Sequence, residues 1–518
     1  MRNVRFLLFA TLALAVLLAD GASSGHALDS ASGQSTRSGA PAQPSQNLTI
    51  GMLLPLTGGL SEFGMAMQNG GNLAALHVNN AGGVLGQPVV VIVADSQSDL
   101  TAALIAAQSL IDDGVDAIVG EVASGITLEV AGQVTIPSGM LLISPASTSP
   151  AITSLADDDL VFRTVNSDAL QAPILAQVAR DQGFQTACTM HINNAYGQGL
   201  SASFTEAFQA LGGTVQVEVP HGEQSSYLGE LQQCTSGTPD VLAGISYPQH
   251  GAVYLKEALD NMLIDQFVFS DGLKSQDMFD QLGADDFEGM YGTSSVSEHT
   301  AEFSGAYEAQ YGEPPLLPYI AEAYDAVVSV ALAAERAGST DSATIRDSLR
   351  DVTCPPGPSI GAGAAPIGQA VQLVAAGQSV NFEGATGSLE FTEYGDDVRG
   401  AIEIWTIVSG QIVTDREESA AAQPDLDGDG FDACVEDYLG SDFLDACPDD
   451  LSDYAWPLDV SNDGQLSVVG DVLNFRDRIG ATPGAPNWWQ RLDFNADGQL
   501  SVVGDVLMYR DRIGETCT

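Results

Sequence analysis

Asp425, Asp427, Asp429 and Glu436 occupy the first, third, fifth and twelfth places of a loop with Gly430 at the sixth. With that spacing a short loop gathers oxygens round Ca²⁺, and the closing glutamate grips the ion with both oxygens. Further along, the segment Asp463–Leu473 recurs unchanged as Asp497–Leu507, an offset of 34, and each copy runs on into Arg-Asp-Arg-Ile-Gly. A short period repeated twice marks a paired supersecondary unit. The first copy offers Asp459, Ser461, Asp463 and Ser467, and the second offers Asp493, Asn495, Asp497 and Ser501. The twelfth place is Gly470 or Gly504, neither of which has a side chain to coordinate. Asp471 and Asp505, one place later, are therefore read as the closing ligands. Ca²⁺ is the cofactor predicted for this tail.

Catalytic chemistry finds little support. His77, His191, His221, His250 and His299 are spread along the chain and form no metal-binding pair. Gly357-Pro-Ser-Ile-Gly361 fits the pattern G-x-S-x-G, yet it lies in a Pro/Gly/Ala-rich loop and not in a strand–turn–helix. No phosphate-binding loop and no H-E-x-x-H motif occurs. The sequence is read as non-enzymatic.

Charge narrows the partners. The chain has 68 acidic residues against 17 basic ones, a formal charge of −51, and its only lysines are Lys256 and Lys274. Such a surface repels phosphate backbones, which argues against nucleic acid. It suits a salty habitat. Arg2 and Arg5 precede the apolar run Phe6–Ala19, and Gly25-His26-Ala27 follows as an acceptable cleavage site. Residues 1–27 are read as a secretory signal, which places the mature protein outside the cytoplasm: in a periplasm, at a cell surface, or secreted. An even count of six cysteines without a C-x-x-C pair then predicts disulfides. Cys434 and Cys447 are the easiest local pair, Cys188 and Cys234 fall within one domain, and Cys354 and Cys517 remain by elimination.

The elements that would position a site follow a regular rhythm. After a flexible Ser/Gly/Ala/Pro/Gln spacer at 28–46, strands are predicted at Leu48–Leu54, Pro88–Ala94, Ala117–Gly120 and Met140–Ile143. Helices are predicted at Gly64–Asn80 and Thr101–Asp112. Helix Ala169–Gln182, strand Thr186–His191, helix Leu200–Leu211 and strand Thr214–Val219 continue the pattern. Short apolar strands alternating with longer helices mean βαβ units and an α/β fold with parallel sheets. In such sheets ligands gather at the carboxyl ends of the strands. The rhythm stops near Ser419, where the acidic tail begins.

Five motifs carry a resemblance: Ile50–Gly58 with Phe63-Gly64, Asn80–Gly86, Ile118–Ser124, Ile143–Pro150 and Asn194–Gly199. In that order they resemble the leucine/isoleucine/valine-binding protein family. The likeness extends through Gly410. It implies a type I periplasmic binding fold: two lobes, three crossovers, and a cleft that closes by a hinge. By matching motifs, Ser124 and the Thr148 hydroxyl would receive a ligand carboxylate, and the Ala146 carbonyl would receive its ammonium. Tyr196, in the Tyr-Gly-x-Gly loop, and Tyr247 would close over the ligand from the second lobe. Asp271 would face the α-ammonium, although it is shorter than the glutamate of some relatives, and Phe63 would stand at the pocket mouth. A buried zwitterion needs such partners, because an unpaired charge leaving water costs several kcal/mol.

The first acidic loop resembles thrombospondin type 3 repeats, and the duplicated segments resemble dockerin repeats, which implies a small helical calcium-loop module and a possible cohesin-like or surface partner. The resulting division is a two-lobed domain at 47–418, with lobe 1 at about 47–166 and 296–385 and lobe 2 at about 167–295 and 386–415. An Asp-rich calcium repeat follows at 419–450, and the duplicated module at 455–518. The function expected is capture of an amino acid, branched-chain or similar, for an ABC permease. The alternative is a sensing or binding protein docked to a surface or scaffold through its calcium-dependent tail.

Overall fold

The structure is a computed structural model that describes residues 47–295, 300–312, 314–387, 389–392, 394–397 and 401–419, with isolated positions at 458, 472–475, 478–479 and 492. The calcium ligands read from the sequence, Asp425 through Asp505, all lie outside the described residues, as do Cys434, Cys447 and Cys517.

The first sheet contains β1 (Thr49–Leu54), β2 (Val90–Asp95), β3 (Ala117–Gly120), β4 (Leu142–Ser144) and β5 (Val161–Arg163), in the order β2-β1-β3-β4-β5. Every pairing is parallel. Its central strands are apolar on both faces because helices cover both, as parallel sheets require. Helix Leu100–Asp112 begins where the Asp99 carboxylate accepts from the Ala102 N–H, satisfying one of the free donors of the first turn. Helix Ser61–Asn80 packs against Ile320–Ala337, which returns to this lobe from later in the chain.

The second sheet begins with β6 (Thr186–Ile192), β7 (Thr214–His221), β8 (Val241–Ile245), β9 (Phe267–Phe269) and β10 (Tyr291–Ser295). The short pair β11 (Ser359–Gly361) and β12 (Asn381–Gly384) belongs to the first lobe, and β13 (Ala401–Val408) and β14 (Gln411–Ser419) complete the second. The order is β14-β13-β10-β9-β8-β6-β7. Strands β6 to β10 pair in parallel, whereas β13 and β14 form an antiparallel hairpin on the edge, a departure from the all-parallel expectation. Its turn residues Ser409 and Gly410 both have positive φ, 53° and 77°, which matches the twist of the flanking strands. Gly292 makes room for Trp405: a Cβ there would come within 2.2 Å of the indole. Trp405 in turn stacks on Phe269 at 5.7 Å in the second core.

Two boundaries move. The Tyr-Gly-x-Gly segment is not a loop; helix Ala195–Ala210 already contains it, capped by the Asn194 side chain accepting from the Gly197 N–H. Gly197 reads as a loop signal in sequence but serves the helix, because a Cβ would lie 2.1 Å from the Ile192 carbonyl oxygen. Residues 386–397, assigned to lobe 2 by sequence, pack on lobe 1: Phe391 meets Phe162 edge-on at 5.2 Å, and Asp396 pairs with Arg163 at 2.8 Å. The third passage between lobes therefore follows Asp397, and β14 carries lobe 2 to Ser419.

Cys188 on β6 and Cys234, at the end of helix Leu228–Cys234, form a buried disulfide. Cys354 is also disulfide-bonded. Among the described residues no helix is long and apolar enough to cross a membrane.

Candidate functional site: an aromatic cavity between the lobes

Strand ends of both lobes converge on one cavity. It is lined by Leu60, Phe63, Val122, Ser124, Ala146 and Tyr319 from the first lobe and Tyr196, Tyr247, Asp271 and Gly272 from the second. It has room of about 20 Å³ for the centre of a water-sized sphere. Six of the seven residues expected from sequence thus share a wall. Thr148 is the exception: it is buried just behind, its hydroxyl without a hydrogen-bond partner, while its carbonyl accepts from the Asp168 N–H at 2.8 Å.

Each wall residue is placed by its element. Phe63 lies in the first turn of helix Ser61–Asn80, after β1. Ser124 opens the helix that follows β3, and its Oγ accepts from the Ser149 N–H at 3.3 Å. Ala146 is fixed by Ser144, whose Oγ donates to the Glu121 carbonyl at 2.6 Å and accepts from the Ser147 N–H at 3.0 Å. Glu121 itself is fully buried beside Ser96, and burial raises its carboxyl to about 7. Tyr247 caps the start of helix Pro248–Asp260 after β8, and its ring stacks on Tyr196 at 5.6 Å with an interplanar angle of 8°. The Asn194 amide donates to the Tyr247 hydroxyl at 3.0 Å.

Asp271, just past β9, is the polar centre. Its Oδ1 accepts from the Tyr196 hydroxyl at 2.7 Å and from the Gln171 amide at 3.1 Å, and its Oδ2 accepts from the Tyr319 hydroxyl. Gln171 reaches from helix Asp168–Asp181 and also meets the Thr293 hydroxyl at 3.2 Å. Burial, then the neighbouring Asp271 charge, pushes both Tyr196 and Tyr319 well above the usual phenol range, so both are neutral donors. Asp168 is fully buried with neither carboxylate oxygen hydrogen-bonded. Burial and then the Asp271 charge drive its carboxyl far up. The site therefore holds one carboxylate dressed by neutral donors and a second carboxyl that favours its protonated form.

Tyr319 escaped the sequence reading. It follows Leu317-Pro318 without a motif, and it enters the cavity because its backbone is left-handed, φ 74°, immediately before helix Ile320–Ala337. Its ring meets Phe63 edge-on at 5.9 Å. Leu60 and Val122 were missed too, as plain apolar wall.

Two histidines distant in sequence meet behind Tyr247. His221 lies 5.5 Å from His250 between ring centres and 3.1 Å from the Ser246 hydroxyl through Nε2, and His250 lies 6.2 Å from Tyr247. Burial lowers the basicity of His191, His221 and His250, that of His221 to about 4, so the cluster is neutral. No metal-holding group of three or more His, Cys, Asp or Glu side chains occurs among the described residues. Ser359 of the G-x-S-x-G pattern is exposed on β11, bonded to Glu383 and remote from the cavity lining.

Known proteins resemble this chain in sequence and fold. The chain is 29% identical over 365 residues to the chemotactic signal transduction system substrate-binding protein BasB of Halobacterium salinarum, covering 68% of this chain and 86% of that one. It is 27% identical over 312 residues to a Leu/Ile/Val-binding protein homolog of Brucella melitensis, covering 59% and 83%. Among solved structures, the leucine-binding protein LivK of Thermotoga maritima superposes with a TM-score of 0.61 at 25% identity, covering 71% of this chain and 98% of that one. The periplasmic binding protein family model matches residues 47–385, strands β1 to β12 and every residue lining the cavity, and the chain belongs to that family.

Proposed function

We propose that the protein is an extracytoplasmic solute-binding protein that captures an amino acid, branched-chain or similar, between its lobes for import by an ABC permease. The observation that carries this reading is the meeting of Phe63, Ser124, Ala146, Tyr196, Tyr247 and Asp271, drawn from six separate strand ends, on one cavity. Ser124 and neighbouring backbone N–H groups would take the ligand carboxylate, Asp271 and the Ala146 carbonyl its cationic end, and the aromatic walls would exclude water. The relatives named for leucine, isoleucine and valine, and the isoleucine complex of LivJ from Streptococcus pneumoniae, which shares the fold, support the ligand class. Mass spectrometry of ligand released from gently denatured protein tests it, followed by calorimetry with the compound found. Recovery of no zwitterion, and no heat with any amino acid, would sink the reading.

For the tail we propose calcium binding by the loops at Asp425–Glu436, Asp459–Asp471 and Asp493–Asp505. The support is their carboxylate spacing, which without a cation sets like charges against each other.

A further inference from the structure

Aromatic residues make up 7% of the chain, yet Phe63, Tyr196, Tyr247 and Tyr319 are four of the ten residues lining the cavity. They bracket the space from both lobes, Tyr196 stacked on Tyr247 and Phe63 edge-on to Tyr319. A bulky residue seldom adopts positive φ, and such conformations persist where the surroundings hold them for function. Tyr319 does so at 74°, and the result is its ring on the cavity wall.

Asp271 is close to fully engaged. An ionised carboxylate offers about four acceptor positions. Tyr196, Gln171 and Tyr319 already fill three of them. A primary ammonium brings three N–H donors that each need an acceptor once water is gone. Beyond the last position on Asp271, the wall offers it no second carboxylate, because the other nine lining residues are neutral. A cation with methyl groups in place of those hydrogens has no such need. It requires negative potential and a close apolar fit. The ring faces supply both, and the Asp271 charge stands on the same wall, held by the two tyrosines that donate to it.

Resting on the reading of the cleft as a zwitterion site, we propose that its ligand is N-methylated, a betaine-type amino acid. The methylated cation lies among Phe63, Tyr196, Tyr247 and Tyr319, and the carboxylate lies at Ser124. Asp271 acts as counter-charge and as the anchor of two rings, and Tyr319 is the residue that sets specificity.

The full chain is titrated calorimetrically with glycine, N-methylglycine, N,N-dimethylglycine and N,N,N-trimethylglycine, and with leucine and isoleucine. The expected result is a Kd that falls with each methyl group and is about tenfold or more lower for trimethylglycine than for glycine or leucine. Leucine, isoleucine or glycine binding more tightly than trimethylglycine would overturn the proposal and leave amino-acid capture standing. Silence from the whole panel would overturn both. Tyr319→Phe loses the bond to Asp271 but keeps the ring, so Tyr319→Leu, which loses both, should bind trimethylglycine about tenfold more weakly than Tyr319→Phe does. Equal losses in the two variants, with melting curves unchanged, would assign the residue's role to its hydroxyl and not its ring, and would also overturn the proposal.

Discussion

The hydroxyl of Tyr319, carried by the first lobe, donates to Oδ2 of Asp271, carried by the second. The bond spans the cleft, so the acid at the ligand site is also a latch between the lobes. A second tie, from the Ser275 hydroxyl to Glu62 at 3.1 Å, runs parallel to it. Closure and ligand recognition therefore share one side chain.

Replacing Asp271 with Ala removes the counter-charge of the cavity and releases Tyr196, Gln171 and Tyr319 together. Affinity should fall by about 2–5 kcal/mol, as when one member of a buried charge pair is truncated. Calorimetry with the ligand recovered from the protein reads this directly, and unchanged affinity would dismiss Asp271 as the cation's partner.

Tyr196 and Ser124 face one another from opposite lobes, so binding should draw the lobes together by a hinge motion. Small-angle scattering with and without saturating ligand should show a smaller radius of gyration when bound. An identical radius in both states would argue against a clamshell that ligand closes.

Glu322 and Asp325 lie fully buried on the helix that covers the first sheet, and burial raises them from 4.5 to about 8 and from 3.8 to about 7. In the unfolded chain both ionise near the lower values. Between those limits the folded state holds protons that the unfolded state has lost, so their contribution to stability declines as pH rises through the window. The melting temperature should be lower at about pH 8.5 than at about pH 5.5, and Glu322→Gln should flatten that slope. A variant whose pH dependence matches the parent would show that Glu322 does not titrate in this range.

The tail gives an independent test. Residues after Ser419, produced as a separate piece, should melt at a higher temperature in calcium than in chelator, because metal bound only to folded loops stabilises them. The lobes cut after Ser419 should keep their melting temperature and ligand affinity in chelator. Identical curves for the tail in both conditions would rule out its loops as calcium sites.

Much of the cleft was legible because its residues sit in contiguous motifs at strand ends, where backbone and side chain are specified together. Ser124 follows Val-Gly-Glu-Val-Ala, and Asp271 follows a three-residue apolar strand. Tyr319 was invisible because a left-handed backbone at a helix start leaves no local signature in its own residue type. Thr148 shared its motif with Ala146, yet a motif does not say which of two neighbours turns toward the cavity. The strand rhythm gave the parallel sheets but not the β13–β14 hairpin, whose alternation follows a long irregular stretch. His221 and His250 looked unrelated because the end of β7 and the first turn of helix Pro248–Asp260 bring together positions that the sequence holds 29 residues apart.

The interleaving of the lobes has a consequence for biogenesis. β10 pairs on one side with β9 and on the other with β13, which follows the entire final segment of the first lobe. A chain emerging from a membrane channel with its amino end first would present β10 as an open strand edge until Ala401–Val408 arrives. Such an edge is a template for pairing with other chains. Synthesis halted anywhere between Ser295 and Ala401 would thus leave a fragment with an open edge, and the second lobe is finished only once the polypeptide through Ser419 has been made.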